Sequence, residues 1–226
     1  SMPFYFLLGG CLFAVTPIVA QLFGAKKYEE IGQKVREILW VSLALGLIGF
    51  ILYRNLSFFI PFFDIEENIA LISDGYLKAM SYGFIANMIF TCLRCYSEGM
   101  GLTLPVFWVA FIGLLLNIPL DIIFVYGYFG IPPMGGVGCG IATSINIVIG
   151  VIVLVLVILK KKEYAPTKIF SKFSLPNSET TKEALKLGLP IGFGVFVELS
   201  MFSGAALILG SLGSSVISGH TVAINI

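Results

Sequence analysis

Charge is what this sequence has least of. Asp, Glu, Lys and Arg make up 12% of its 226 residues, against about a quarter in soluble domains. The net charge is +1, so bulk charge carries no footprint for nucleic acid. One histidine is present, His220. Without spaced ligands or a nucleophile beside it, it makes neither a metal site nor a triad, and it reads as a hydrogen-bonding residue inside a helix. Cys11, Cys92, Cys95 and Cys139 all fall within apolar runs. Cys92 and Cys95 form a C-x-x-C, but no second pair or neighbouring His accompanies it, so packing thiols are expected rather than redox or metal chemistry. The glycine run Gly135–Gly140 lacks the preceding strand, the Lys and the acidic partner of a phosphate loop. No nucleophile–base pair or nucleotide motif appears. An enzyme is therefore not expected, and no cofactor is implied.

What is present is apolar length. The chain is 58% hydrophobic with a mean hydropathy of +0.97. Near-uncharged runs recur close to the ~20 residues that a bilayer core demands. The fold class expected is all-α, a polytopic helical membrane protein. Spans are expected at about 4–23, 38–59, 75–96, 106–126, 138–159 and 187–209, with a partial one from Ser214. No basic region precedes the first run, so no signal peptide is read. The abrupt apolar start and finish suggest a piece of a larger protein.

Loops at 24–36 and 160–186 hold eleven of the fourteen basic residues, and the loops at 60–74 and 127–137 hold none. By the positive-inside rule the basic side is cytoplasmic. Residues 160–186, with seven Lys, Pro166 and Pro176, are the one candidate linker. A loop of this length in a tight bundle usually joins two lobes. Ser178-x-x-Thr181 with Glu179 and Glu183 resembles a capped helix start leading into the next span. The expected organisation is an N-terminal lobe at 1–159, a cytoplasmic linker at 160–186 and the start of a C-terminal lobe at 187–226.

Ionisable groups inside spans are costly and mark function by default. Asp121 and Glu198 are the two that stand out. Asn117 and Asp121 lie four apart, on one helix face. Pro119 between them frees the carbonyl of Leu115. Amide, carboxylate and loose carbonyl together make half of a cation site. Glu198 sits near the middle of its span, after Pro190 and the close-packing pair Gly188 and Gly192. Thr143 offers a hydroxyl, either to the bundle interior or back to its own helix. Arg94 and Glu98 are spaced as an exposed pair at a helix end.

Five strings then become familiar together: Thr16-Pro-Ile-Val-Ala-Gln-Leu-Phe-Gly-Ala25, Arg94-Cys-Tyr-Ser-Glu-Gly99, Asn117-Ile-Pro-Leu-Asp-Ile-Ile-Phe-Val-Tyr-Gly127, Gly135-Gly-Val-Gly-Cys-Gly-Ile-Ala-Thr143 and Gly219-His-Thr-Val-Ala-Ile-Asn225. In combination they resemble the multidrug and toxic compound extrusion (MATE) family, NorM-like branch. The resemblance implies a two-lobe bundle of which this chain holds helices two to about eight. It implies that Asn117, Asp121 and Thr143 belong to the cation site of the first lobe, and that Glu198 is the acidic residue of the seventh helix. Asp121, Asn117 and Glu198 would then bind Na⁺ transiently if the ion is Na⁺ rather than H⁺.

The function so implied is cation-coupled antiport, exporting cationic aromatic drugs across the inner (plasma) membrane. The protein would be a monomer at full length, with membrane lipid around it and no nucleic-acid partner. The alternative within the superfamily is a lipid-linked oligosaccharide flippase. It would need several Arg or Lys in its cavity, and apart from Arg54 and Lys78 no span interior offers one.

Overall fold

The computed structural model describes residues 2–56 and 67–210. All the regular structure among the described residues is helical. The helices are α1 (Met2–Gly10), α2 (Val15–Gly24), α3 (Tyr28–Asn55), α4 (Glu67–Gly99), α5 (Thr103–Tyr126), α6 (Gly136–Lys160) and α7 (Ser178–Gly210). His220, the span expected from Ser214, the string Gly219–Asn225, and Asp64 and Glu66 of the acidic loop lie outside the described residues.

Among the described residues five segments are long and apolar enough to cross a membrane: Tyr5–Gly24, Tyr28–Asn55, Thr103–Tyr126, Gly136–Lys160 and Ser178–Met201. The chain is a multi-pass membrane protein. α4, expected as a span, falls outside that apolar set. It carries Asp74, Lys78, Ser81, Asn87, Thr91 and Arg94. It is also the central helix, packed against α2, α3, α5 and α6. Neighbouring helices cover the surface that lipid would otherwise meet, so its composition is freer to be polar.

The first expected span is not one continuous helix. A short 3-10 segment, Cys11–Ala14, separates α1 from α2. Pro17 lacks an N–H and leaves the carbonyl of Phe13 without its usual helical donor, and the tighter turn falls where that bond is missing. At this break two helices cross backbone to backbone. A Cβ on Gly10 would stand 2.2 Å from the Cα of Gly192, and one on Gly188 would stand 2.1 Å from the Cys11 carbonyl oxygen. The close-packing face expected at Gly188 and Gly192 is thus the seat of α1 on α7.

α3 begins ten residues before the expected span, at Tyr28. Glu29 and Glu30 in its first turn suit the positive end of the helix dipole. Its buried seam runs Ile31, Val35, Ile38, Ser42, Gly46, Gly49 and Tyr53, a spacing of three and four that faces one neighbour. The core of the described bundle gathers there, with Met88, Cys92 and Tyr96 of α4 and Leu154 and Ile158 of α6.

Residues 161–177 are not a loose polar loop. They form a strap across the basic end of α3 and α4, starting with a 3-10 turn, Lys162–Thr167. Tyr164, Thr167 and Ile169 are buried under it, and burial pushes the Tyr164 phenol above its ordinary value. α7 starts at Ser178, as the capping pattern suggested, but the cap is Asn177. Its Oδ1 accepts the backbone N–H of Glu179 at 2.9 Å. The α7 start is tied to α3 by Thr180, which donates to the buried Glu37 carboxylate, and by a Lys34–Glu183 ion pair.

Candidate functional site

The site is built where α5 turns back into α6. Gly127 closes α5 in the left-handed region, φ +80°. Met134 N–H then donates to Phe124 O and Gly135 N–H to Val125 O. These bonds lay the start of α6 along the end of α5. The helix α5 runs unbroken through Pro119.

Asn117 and Asp121 meet as their spacing requires. The Asn117 amide donates to Asp121 Oδ2 at 2.5 Å. The other carboxylate oxygen, Oδ1, is buried with no hydrogen-bond partner. A buried acceptor left unsatisfied costs about 1–3 kcal/mol, and more when charged. That oxygen is the acceptor of this cluster left without a donor.

From α6, Cys139 lies close enough to Asp121 and to Thr143 to interact with both. The Thr143 hydroxyl donates back to the Cys139 carbonyl at 2.9 Å, the intrahelical bond that sequence left as one of two choices. Tyr76 of α4 lies within electrostatic range of Asp121. The site is therefore the Asp121 carboxylate and Asn117 amide of α5, with the Cys139 thiol and Thr143 hydroxyl of α6 and the Tyr76 phenol of α4 around them. Among the described residues no group of three or more His, Cys, Asp or Glu could hold a metal.

A cavity of about 330 Å³ opens beside it. Asn87 of α4, Asn117 of α5 and Asn146 of α6 place three amides on its wall, among Phe90, Val109 and Leu114. The Asn146 Oδ1 atom is also buried without a partner. Sequence reasoning missed Tyr76, Asn87, Cys139 and Asn146. The one available signal was Asn146, three residues after Thr143 and so on its face.

Glu198 does not join this cluster. It is exposed on α7, whose packing partners are α1, the turn that follows it, and α3. Cys11, Cys92 and Cys95 are free and buried, as packing thiols should be, while Cys139 is only partly buried. Arg94 and Glu98 form the expected pair, at 2.7 Å.

A family model described as MatE matches residues 1–123, more than half of the chain. The chain belongs to the MatE family. A multidrug resistance protein NorM of Vibrio cholerae is 39% identical over 216 residues, which cover 96% of this chain and 47% of that protein. The multidrug resistance protein PmpM of Pseudomonas aeruginosa is 36% identical, covering 99% and 47%. This MatE chain thus spans about half the length of these relatives. Among solved structures, an outward-facing multidrug resistance MATE family transporter of the MOP superfamily superimposes with a TM-score of 0.82 at 21% identity, covering 99% of this chain and 49% of that one. The fold is therefore the MATE fold over almost all of this chain. The NorM-like resemblance of the five strings agrees with the relatives' names.

Proposed function

We propose that this MatE chain holds most of the first lobe and the start of the second lobe of a cation-coupled multidrug exporter. The observation that carries the reading is the unpartnered oxygen of Asp121, buried in the carboxylate that Asn117 holds, with Asn117 also on the wall of the amide-lined cavity. A carboxylate oxygen left without a donor inside a membrane span is where a small cation would find its partner. A cation bound there removes the cost of the bare charge, and the cavity alongside offers apolar walls and amides to a flat organic cation. Ion and drug that favour different conformations are coupled reciprocally.

In this reading residues 1–159 form the first lobe, 160–186 the cytoplasmic connection, and 187–226 open the second lobe. Glu198 would serve a second cation site, completed by groups of that lobe. The protein would sit in the inner membrane as a monomer. The names of the relatives support drug export as the activity. A pyrophosphate-lipid flippase is not favoured. The cavity wall carries no Lys or Arg, Arg54 is engaged with Tyr82, and Lys78 pairs with Asp74 at 2.8 Å.

The test is efflux of a fluorescent organic cation from vesicles containing the full-length protein, under an imposed Na⁺ or proton gradient. Acceleration by either gradient supports antiport. Efflux indifferent to both would remove it.

A further inference from the structure

The strap over α3 leaves a second cleft, of about 490 Å³, at the basic end of the bundle. Its floor is apolar: Leu39 and Leu43 of α3 and Ile89 of α4. Arg36 to Leu43 is seven residues, so the cleft runs roughly 10 Å along α3. Ile169, Phe170 and Phe173 form the strap side, and Arg36 and Lys172 stand at the mouth.

The cleft is held open by anchors at both ends. The Arg36 guanidinium donates to the carbonyl of Lys168 at 2.8 Å and to the Ser174 hydroxyl at 2.9 Å. The Trp40 indole donates to the Ser174 carbonyl at 3.0 Å. Thr167 hydrogen-bonds the Tyr96 hydroxyl at 2.7 Å, and its carbonyl packs so close to Gly32 that a Cβ there would stand 1.7 Å from the oxygen. Between these anchors the strap bows away from α3.

The side chains on the bow are of two kinds. Phe173 is 79% exposed and Phe170 43%, an expensive display in water but a normal one at a bilayer interface. Trp40 stands at the same level, where the polar start of α3 gives way to its apolar run. Lys172 is exposed beside them. Two acids adjoin the mouth: Glu29 is held by Lys168 at 2.8 Å and Glu30 by Lys27 at 2.9 Å, and although Lys172 also feels Glu29, Arg36 and Lys172 leave the mouth with a net positive charge. Apolar floor, aromatic collar and basic mouth are the order of parts in a phospholipid, tail to anionic headgroup.

We infer that this cleft binds an anionic phospholipid of the leaflet that faces the basic loops, with an acyl chain over Leu39, Leu43 and Ile89 and the headgroup phosphate at Lys172 and Arg36. Basic pockets at helix ends on the cytoplasmic side recognise such headgroups. The inference rests on the membrane orientation read above, but not on drug transport, and its test does not pass through efflux.

The full-length protein is placed in nanodiscs containing a photoactivatable phosphatidylglycerol or a phosphatidylcholine with the same acyl chains, at equal mole fraction. Adducts are mapped by peptide mass spectrometry. The anionic probe should label residues 36–43 and 169–174 about fivefold more than the zwitterionic one, the weight of one basic side chain at such a surface. Unlabelled phosphatidylglycerol should compete. Lys172→Glu, and more mildly Lys172→Gln, should bring labelling of these segments down to the zwitterionic level and leave labelling elsewhere unchanged. Equal labelling by the two headgroups, labelling undiminished in both variants, or no adduct in these segments would overturn the proposal. Displacement of the probe by an organic cation but not by phosphatidylglycerol would give the cleft to drug and overturn it equally.

Discussion

Replacing Thr180 by Val removes one hydroxyl from the joint between α3 and α7. Thr180 is 5% exposed and Glu37 3%. The hydroxyl donates to Glu37 Oε2, and Gln33 donates to Oε1 at 3.0 Å. With Val the shape is kept, but one buried carboxylate oxygen loses its donor. A hydrogen bond to a charged group is worth about 1.5–3 kcal/mol. That is roughly a ten- to hundredfold change in the opening equilibrium of the α7 start. The neighbouring Lys34–Glu183 pair has side chains 26% and 43% exposed, and a pair that wet contributes about 0–1 kcal/mol. Lys34→Met should therefore change opening by less than about fivefold. The assay is amide hydrogen exchange across residues 178–186 in the full-length protein. Thr180→Val should exchange there by that larger factor, Thr180→Ser should match wild type, and Lys34→Met should lie near it. Equal protection in Thr180→Val and Thr180→Ser would refute the argument. So would a larger effect of Lys34→Met than of Thr180→Val.

Three further outcomes are expected. Gly192→Leu should prevent recovery of monodisperse protein, because the neighbour at Gly10 is backbone and cannot yield as a side chain can. Overpacking of this kind costs about 1–3 kcal/mol or more, and wild-type thermal unfolding of the variant would contradict the crossing. A cysteine at Phe173, 79% exposed, should react with an impermeant maleimide only from the cytoplasmic face of oriented vesicles. Thr167 is a poor probe of the same question, being 1% exposed. Glu198→Gln should abolish gradient-driven export of the full-length protein with insertion unchanged, and drug efflux at the wild-type rate would exclude Glu198 from coupling.

The parts legible in the sequence are those set by spacing along one helix. Asn117 and Asp121 meet because four residues make one turn. Arg94 and Glu98 pair for the same reason, and Gly188 and Gly192 mark one close-packing face. Helix starts were less legible. Hydropathy reports the thickness of a bilayer, whereas α3 and α7 continue as helices into polar sequence, from Tyr28 and Ser178. The break at Cys11–Ala14 was not read from the sequence: hydropathy runs through it, and the missing N–H of Pro17 is felt one turn upstream. What could not be read was anything held by distant partners. Arg36 reaches Ser174, and Tyr96 reaches Thr167, so the strap looked like an unanchored linker. Asn87 and Asn146 were passed over because a lone amide in an apolar run says nothing until its neighbours on other helices are known.

The central claim is that the Asp121 cluster takes up the coupling cation. Its most direct measurement is efflux of a fluorescent organic cation from vesicles of full-length wild type and Asp121→Asn, with and without an imposed Na⁺ or proton gradient. Asn keeps the size and removes the unpaired charge. The gradient-stimulated component should fall by about tenfold or more while dye binding at zero gradient is retained. Gradient stimulation undiminished in Asp121→Asn would contradict it.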